Sequence, residues 1–340
     1  MEDGIQKVEA QILDHIGIAS DVIEELRLVK IIDSIIPKKA SHYRITHGQA
    51  VKAIILSGLG FQDRRLYSVD RFFKNRPVDV IFGKDITWDY FSDDALGETL
   101  DRIYKFGVDK FFSEISSRII LNNKYLYSNV SNIDTSSLSL SGKFKNKKSE
   151  IKPLLGHSKK NRPDLRQLIL SMAITGPAQV PFWMTVDNGN ISDKELLPEM
   201  MKRIEGFKTL MFGGNQKSIT IADSALFSKE FLSKFYSSAK WVSRLSESYK
   251  IAKELLEESL SVNEWSKYGQ YRYFSRIVKY DRYLLKAIVV HHRKSSYREI
   301  ATVNKNYIKA SNKLKKSIKR IQGKVYKTRK SIEREVEKLI

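Results

Sequence analysis

The spacing of apolar residues changes near residue 119, and this change limits the fold more than any other feature of the chain. Before it, apolar side chains recur at helical spacing, as in the stretch 94–107, where Thr99, Leu100 and Ile103 share one predicted helix face. After it, apolar runs alternate as strand, hairpin, helix, strand, helix and strand. That alternation is typical of an α/β core with a mixed sheet. The sequence therefore predicts an all-helical N-terminal domain followed by an α/β core.

The predicted strands are short apolar runs bounded by turn residues. Five such runs lie at 125–134, 165–175, 180–186, 218–223 and 240–245. The second and third are joined by the turn 176–178, which predicts a hairpin, and the segment 138–142 is expected to pair with the first run. Helices are predicted at 192–207 and 228–236. Together these elements would form one sheet with helices packed against it.

The chain beyond this core continues with a predicted helix at 247–262, strands within 264–291 and a long lysine-rich helix over 303–340. Four regions are therefore expected. They are a helical domain at 1–118, the α/β core at 119–246, an insertion with β-strands at 247–300 and a basic helical segment at 301–340.

Positive charge dominates the composition, with a formal net charge of +21 and a pI of about 9.7. Residues 141–170 hold nine Lys or Arg against two acidic residues, and residues 301–340 hold thirteen against three. Clustering of this kind indicates a phosphate-bearing partner, and lysine that serves only solubility is the alternative. A membrane surface is disfavoured because neither basic segment is expected to pair its charge with large apolar anchors.

Several classes of site are excluded by what the sequence lacks. There is no cysteine, which excludes disulfides, cysteine-ligated zinc and thiol catalysis. No apolar run approaches the roughly 20 residues of a membrane span, and the acidic start of the chain has no signal-peptide pattern. A cytoplasmic protein without a membrane partner is therefore expected. No glycine-rich phosphate loop and no nucleophile-elbow serine are found either.

Two aspartates carry the strongest chemical signal. Asp134 closes the first predicted strand and Asp223 closes the fourth, and each is followed by small residues. Mg²⁺ prefers oxygen ligands, and two carboxylates at neighbouring strand ends supply them. Pairs of divalent metal ions catalyse the cleavage and transfer of phosphodiesters. The alternative is that each aspartate only caps the turn after its strand.

The residues around these aspartates resemble DDE-type insertion-sequence transposases, in the insertion-sequence-four superfamily and its sixteen-thirty-four branch. The matching stretches are 47–118, 133–136, 157–168, 186–194, 221–224 and 240–244. Each motif alone is weak, but their order is specific, and the resemblance covers essentially the whole chain.

The resemblance implies an RNase H-like core, incomplete in this chain, whose first and fourth strands end in the catalytic aspartates. Asp134 and Asp223 would therefore be catalytic and would hold the metal, Mg²⁺ or Mn²⁺. The partner would be double-stranded DNA at transposon ends, and the active form a homo-oligomer. The helical domain would serve DNA binding and assembly, and a basic loop would contact DNA. The residues of this loop are Lys143, Lys145, Lys147, Lys148, Lys159, Lys160 and Arg162.

One departure concerns the third carboxylate of such enzymes, a glutamate in a Tyr-x2-Arg-x3-Glu-x6-Lys pattern. Tyr326, Arg329 and Glu333 fit its first part, but Ile340 stands where the pattern requires lysine. We therefore expect the match at Glu333 to be coincidental, the C-terminal part of the family to be missing and catalysis to be impaired. Three hypotheses remain: a truncated transposase, a non-catalytic DNA-binding remnant that inhibits a full-length partner, and a nuclease that uses Glu333.

Overall fold

A computed structural model describes most of the chain. The residues outside the description are 1–10, 39–43, 61–64, 143, 145–150, 157–161, 213–217, 326 and 338–340. The chain divides into two compact units, Met1–Arg244 and Leu245–Ile340. Each is described here by itself.

The first unit begins with a helical region. Its helices are α1 (Ile16–Glu25), α2 (Leu28–Ile35), α3 (His47–Leu59), α4 (Val69–Phe73), α5 (Val78–Phe82), α6 (Asp93–Phe106) and α7 (Val108–Asn122). Single 3-10 turns occur at Leu66–Ser68, Trp88–Tyr90 and Lys124–Leu126.

Local sequence sets the ends of several of these helices. Thr46 and Gln49 form a capping box at the start of α3, each side chain accepting a hydrogen bond from the other residue's backbone N–H. The Ser92 hydroxyl accepts from the backbone N–H of Ala95 at the start of α6. Gly107 separates α6 from α7 with a φ of +101°, which a side chain would disfavour.

Aromatic rings fill the centre of the helical region. Phe73 and Phe91 are 0% exposed, and their ring centroids lie 5.0 Å apart. Phe72 meets Phe73 edge-on at 4.8 Å, and Phe82 lies 4.6 Å from Phe91. Such contacts add roughly 0.5–1.5 kcal/mol per pair to the area that they bury. Among the described residues, this aromatic cluster is one of two cores in the helical region, and the other is formed by Ile32, Ile36 and Phe111.

Lys52 lies inside this region with 1% of its side chain exposed. Its ammonium donates to Glu24 Oε1 and to the backbone carbonyl of Ile81, both at 2.6 Å. Lys52→Ala would leave that carbonyl without its donor and would open a cavity, so we expect a loss of about 2–4 kcal/mol in the free energy of unfolding. Lys52→Met keeps most of the volume and should lose about half as much. Urea unfolding measures both, and an Ala variant as stable as the wild type would contradict this role.

A five-stranded mixed sheet forms the second half of the first unit. Its strands are β1 (Val130–Leu140), β2 (Arg166–Thr175), β3 (Pro181–Asn188), β4 (Ile219–Ala222) and β5 (Lys240–Ser243). They lie in the order β3-β2-β1-β4-β5. Strand β2 is antiparallel to both of its neighbours, β1 and β3, whereas β4 and β5 are parallel to β1. This is the strand order and direction of an RNase H-like core, so the predicted fold class is confirmed.

Helices α8 (Asp193–Phe212) and α9 (Lys229–Phe235) connect the later strands of this sheet. Phe207 of α8 stacks on Phe182 of β3 with ring centroids 6.0 Å apart. Phe231 of α9 meets Trp241 of β5 edge-on at 5.2 Å. Both helices therefore bury an aromatic side chain against the sheet.

The first strand differs from its predicted form. Residues 124–126 form a 3-10 turn, and β1 begins at Val130 and continues to Leu140. Asp134 is therefore internal to β1, and the prediction that it ends the strand is wrong, as is a separate segment at 138–142. The reason is the long antiparallel pairing with β2, which carries β1 onward from Ser131 to Leu140.

The second unit contains α10 (Lys250–Ser259), the antiparallel strands β6 (Ser266–Tyr268), β7 (Tyr271–Tyr280) and β8 (Tyr283–His292), and the helices α11 (Arg293–Gln322) and α12 (Arg329–Glu337). Phe274 is buried beneath Trp265, whose ring meets it edge-on at 5.0 Å. Helix α11 begins at Arg293 directly after β8, ten residues before the predicted start at 303. No helix in the described part of the chain is long and apolar enough to cross a membrane.

Candidate metal centre at the parallel strand pair

The pairing of β1 with β4 determines where the two aspartates lie. Val130 is opposite Ile219 and Asn132 is opposite Ile221. This offset of 89 residues (219 − 130) is also the separation of Asp223 from Asp134, so continuing the same register sets the two aspartates opposite each other. Adjacent strands are about 4.8 Å apart. The register therefore predicts that two acidic residues adjoin where β4 ends.

Both carboxylates are exposed, and among the described residues each has a hydrogen bond to only one of its two oxygens. Asp134 Oδ1 accepts from the backbone N–H of Thr135 at 2.7 Å, and Asp223 Oδ1 accepts from that of Ala225 at 2.9 Å. Among the described residues, neither aspartate has an ion pair with Lys or Arg, although the chain holds 60 such residues. Two adjacent carboxylates without a protein countercharge fit the oxygen-ligand preference of Mg²⁺ or Mn²⁺.

The strand pleat turns Asp134 away from the core of the unit. Its neighbours Ile133 and Thr135 are each only 3% exposed and face the opposite side. On that side the Thr135 hydroxyl donates to Asp193 Oδ1 at 2.5 Å, which ties the first residue of α8 to β1. Thr135 is therefore held by a hydrogen bond on the buried side of the sheet, while the neighbouring Asp134 is exposed to solvent.

A polar pair on α8 links β1 to β4. Lys208 Nζ donates to Ser131 Oγ at 2.8 Å and lies 3.7 Å from Glu205 Oε1. The carboxylate of Glu205 accepts from Ser218 Oγ at 2.9 and 3.0 Å and from Thr220 Oγ1 at 3.3 Å. Burial lowers the pKa of Lys208, and Glu205 opposes this shift. We call Glu205 and Lys208 the α8 clamp.

The α8 clamp acts on the residues that set the register. Ser131 and Thr220 are register partners, both 0% exposed, and their hydroxyl oxygens lie 3.5 Å apart. They precede Asp134 and Asp223 by three residues each. A one-residue slip of β4 would move Asp223 away from Asp134 and would break these hydrogen bonds. The α8 clamp therefore stabilises the alignment on which the aspartate pair depends.

Asp187, near the end of β3, lies in surroundings that disfavour the charged form of its carboxyl group. Burial raises the pKa of Asp187, Asp109 raises it further, and Arg203 opposes both. Its buried Oδ2 has no hydrogen-bond partner. An Asp with a raised pKa in the folded state binds its proton more tightly than the unfolded chain does, so stability falls as the pH rises above 3.8, the ordinary pKa of an Asp side chain.

Asp187→Asn removes this ionisation. We expect the variant to melt at a higher temperature than the wild type at pH 7, with the difference shrinking toward pH 3 because both proteins are then neutral at this position. Thermal unfolding across this pH range measures it. Asp101→Asn makes the same change at an exposed helical position and is the control. A difference between wild type and Asp187→Asn that does not vary with pH would contradict the assignment.

The basic loop is described only in part. Lys143, Lys145, Lys147, Lys148, Lys159 and Lys160 lie outside the described residues. Arg162 is described and forms a bidentate pair with Asp164, with Nε to Oδ1 at 2.8 Å and a terminal guanidinium nitrogen to Oδ2 at 2.7 Å. This pair raises the pKa of Arg162 and lowers that of Asp164. Arg162 is therefore already engaged by a carboxylate.

Glu333 belongs to the second unit, in α12. Its Oε1 accepts from Arg329 Nε at 3.1 Å, one helical turn away. Tyr326 lies outside the described residues. In the parts of the chain that the structure describes, no group of three or more Asp, Glu or His side chains is arranged to hold a metal.

The α8 clamp was not anticipated from the sequence, although a signal is present. Leu197, Met201 and Ile204 form the buried stripe of α8 at helical spacing, and Lys208 continues it four residues later. A lysine on an apolar stripe requires a polar partner. Glu205, three residues before it, is that partner.

Comparison with known proteins gives limited matches. Residues 8–117 match a family model described as a domain of unknown function, DUF4277. No curated protein matches the chain.

Among solved structures, the chain is similar to a piggyBac transposase synaptic complex with hairpin DNA, at 14% identity over 79% of this chain and 58% of that one, with a TM-score of 0.37. It is also similar to a Mos1 transposase paired-end complex with the left transposon end, at 8% identity over 67% and 74% with a TM-score of 0.24. A Mos1 mariner paired-end complex with Mn gives 10% identity, coverages of 71% and 80%, and a TM-score of 0.25. The chain thus spans 58% of the piggyBac transposase chain, and likenesses this weak do not assign a function.

Proposed function

We propose that the protein is a DDE-type transposase of the insertion-sequence-four superfamily, in its sixteen-thirty-four branch, acting on the DNA ends of an insertion sequence. The observation that supports this most is the register of β1 with β4 in an RNase H-like sheet: its offset of 89 residues, continued two residues beyond Asn132 and Ile221, reaches Asp134 and Asp223. The reaction would be phosphodiester hydrolysis followed by strand transfer. The motif series and the clustered positive charge support DNA as the substrate.

In this proposal Asp134 and Asp223 hold Mg²⁺ or Mn²⁺ through their carboxylate oxygens. A divalent metal at such a site activates the attacking oxygen and stabilises the leaving oxygen of a phosphodiester. The α8 clamp keeps the two aspartates in register, and the basic residues of the loop at 143–162 bind phosphates of the DNA. The active form is a homo-oligomer that holds two transposon ends.

A second candidate function is DNA binding without catalysis, in which the chain occupies transposon ends or inhibits a full-length transposase. One observation favours it: among the described residues, no third acidic side chain is grouped with the aspartate pair. The third hypothesis, a nuclease that uses Glu333, predicts that Glu333→Gln abolishes nicking.

The two functions are separated by a nicking assay on a supercoiled plasmid that carries the coding region with its flanking DNA. The first predicts nicks that require Mg²⁺ or Mn²⁺ and disappear with a chelator. The second predicts retention of the same DNA in a gel without nicks under any metal condition. A protein that neither retains nor nicks this DNA at low salt would reject both.

A further inference from the structure

Helix α11 has an unusual distribution of charge. It is 30 residues long, which corresponds to about 45 Å, and none of its residues is buried. It carries ten Lys or Arg and one acidic residue, Glu299. A solvated helix face usually alternates charge sign, so an excess this large requires another explanation.

The basic side chains of α11 share one side of the helix. At 3.6 residues per turn, eight of the ten fall within a sector of about 120°. Lys294, Lys305, Lys309, Lys316 and Arg320 are among them, whereas Arg293 and Lys315 lie outside it. We call this sector the basic face.

Tyr297 and Ile308 lie next to the basic face, and the other large apolar side chains occupy the opposite side, in a sector of about 60°. Its members include Ile300, Val303, Tyr307, Leu314 and Ile318, which are 40–72% exposed. The expectation that no basic segment carries opposing apolar residues is therefore wrong for α11. The residues are three, four or seven apart, and four of the five lie within the predicted helix 303–340, so the helical spacing already present in the sequence indicated this opposition.

The basic face has almost no countercharge among the residues that the structure describes. Of its eight members, only Arg320 has an ion pair with a described residue, to Glu335 at 3.7 Å. Lys309 follows Lys305 and precedes Lys313 by four residues, and like charges at this spacing oppose helix formation. A polyanion along the basic face would relieve this repulsion.

We infer that the basic face of α11 binds the phosphate backbone of duplex DNA. This rests on the proposed function in that DNA is the partner, and it adds a binding surface in the second unit. A membrane surface is the weaker explanation, because α11 contains a single Leu and no Trp or Phe, the side chains that typically insert when a basic helix lies on a membrane.

The composition of the basic face predicts the kind of contact. Six of its eight members are lysine, whose ammonium is a compact point charge on a flexible stem and suits contact with phosphate. Contacts to phosphate position a protein without reading sequence. The basic face should therefore contribute equally to duplexes of different sequence.

Neighbouring lysines provide a matched test. Lys316 lies on the basic face and Lys315 lies outside it, and glutamine at either position removes one charge while remaining a good helix former. Affinity for two 30-base-pair duplexes of unrelated sequence is measured by fluorescence anisotropy of the full chain across a series of salt concentrations. Lys316→Gln should lower the affinity for both duplexes equally and reduce the slope of log affinity against log salt by about 1. Lys309→Gln with Lys316→Gln should reduce it by about 2, and Lys315→Gln should leave it unchanged.

The outcomes distinguish this inference from the proposed function. Equal effects of Lys315→Gln and Lys316→Gln on a wild type that binds DNA would overturn the inference and leave the proposed function standing. A wild type that binds neither duplex at low salt would overturn both. Binding to phosphatidylserine vesicles that depends on Lys316 while DNA binding does not would also overturn the inference and would assign the face to membranes.

Discussion

Replacing either Asp134 or Asp223 by asparagine is expected to reduce Mg²⁺-dependent nicking by roughly 10³-fold. Each variant keeps the size of the side chain but removes one charge from a pair that lacks any protein countercharge among the described residues. A metal ligand supplies several kcal/mol of transition-state stabilisation, and each 1.36 kcal/mol corresponds to a factor of ten in rate. The measurement is the initial rate of nicking of the plasmid described above.

The control is Asp101→Asn, which makes the same change on the exposed surface of α6. Its rate should equal that of the wild type. DNA retention by Asp134→Asn should not fall below that of the wild type, since the aspartate pair repels phosphate and does not bind it directly. Nicking that persists in both single variants would reject the aspartates as the catalytic pair.

Glu205→Ala is expected to lower the free energy of unfolding by about 2–4 kcal/mol. The change removes the acceptor for Ser218 and Thr220 and leaves the ammonium of Lys208, only 11% exposed, without its carboxylate. Glu205→Gln keeps an acceptor oxygen and should lose about half as much. Urea unfolding at pH 7 gives these values.

Glu199 provides the matched control on the same helix. It pairs with Arg203 at 3.1 Å, but both side chains are about half exposed, so Glu199→Ala should cost no more than about 1 kcal/mol. A role in alignment also predicts weaker Mn²⁺ binding in Glu205→Ala than in Glu199→Ala under conditions where both are folded. Equal Mn²⁺ affinity in the two variants would mean that the α8 clamp contributes to stability but does not align the two aspartates.

The sequence was sufficient for the order of the elements. The hairpin of β2 and β3, the helices α8 and α9, and the strands β4 and β5 were all predicted, because each combines a clear period with turn or cap residues at its ends. The continuation of β1 past Asp134 was not predicted, because the mostly polar run Thr135–Ser139 resembles a loop until its pairing with β2 is known. Long-range pairing overrode local propensity at this strand.

The candidate site was also predictable only in part, because it too depends on long-range strand pairing. Asp134 and Asp223 were identified as strand-associated carboxylates, but their alignment depends on the register between β1 and β4, which no local pattern specifies. The links from Lys208 to Ser131 and from Glu205 to Thr220 join residues 77 and 15 positions apart and become visible only when α8 packs on the sheet. The pairing of Arg162 with Asp164, by contrast, spans two residues and lay within reach of the sequence.

Binding of Mn²⁺ is the most direct test that Asp134 and Asp223 form one metal site. Electron paramagnetic resonance of the free ion, titrated with the full chain, reports how many ions are bound and how tightly. The wild type and Asp101→Asn should bind Mn²⁺ alike, and Asp134→Asn and Asp223→Asn should each lose that binding. Equal binding by the wild type and by both of these variants would contradict a metal site at the aligned aspartates.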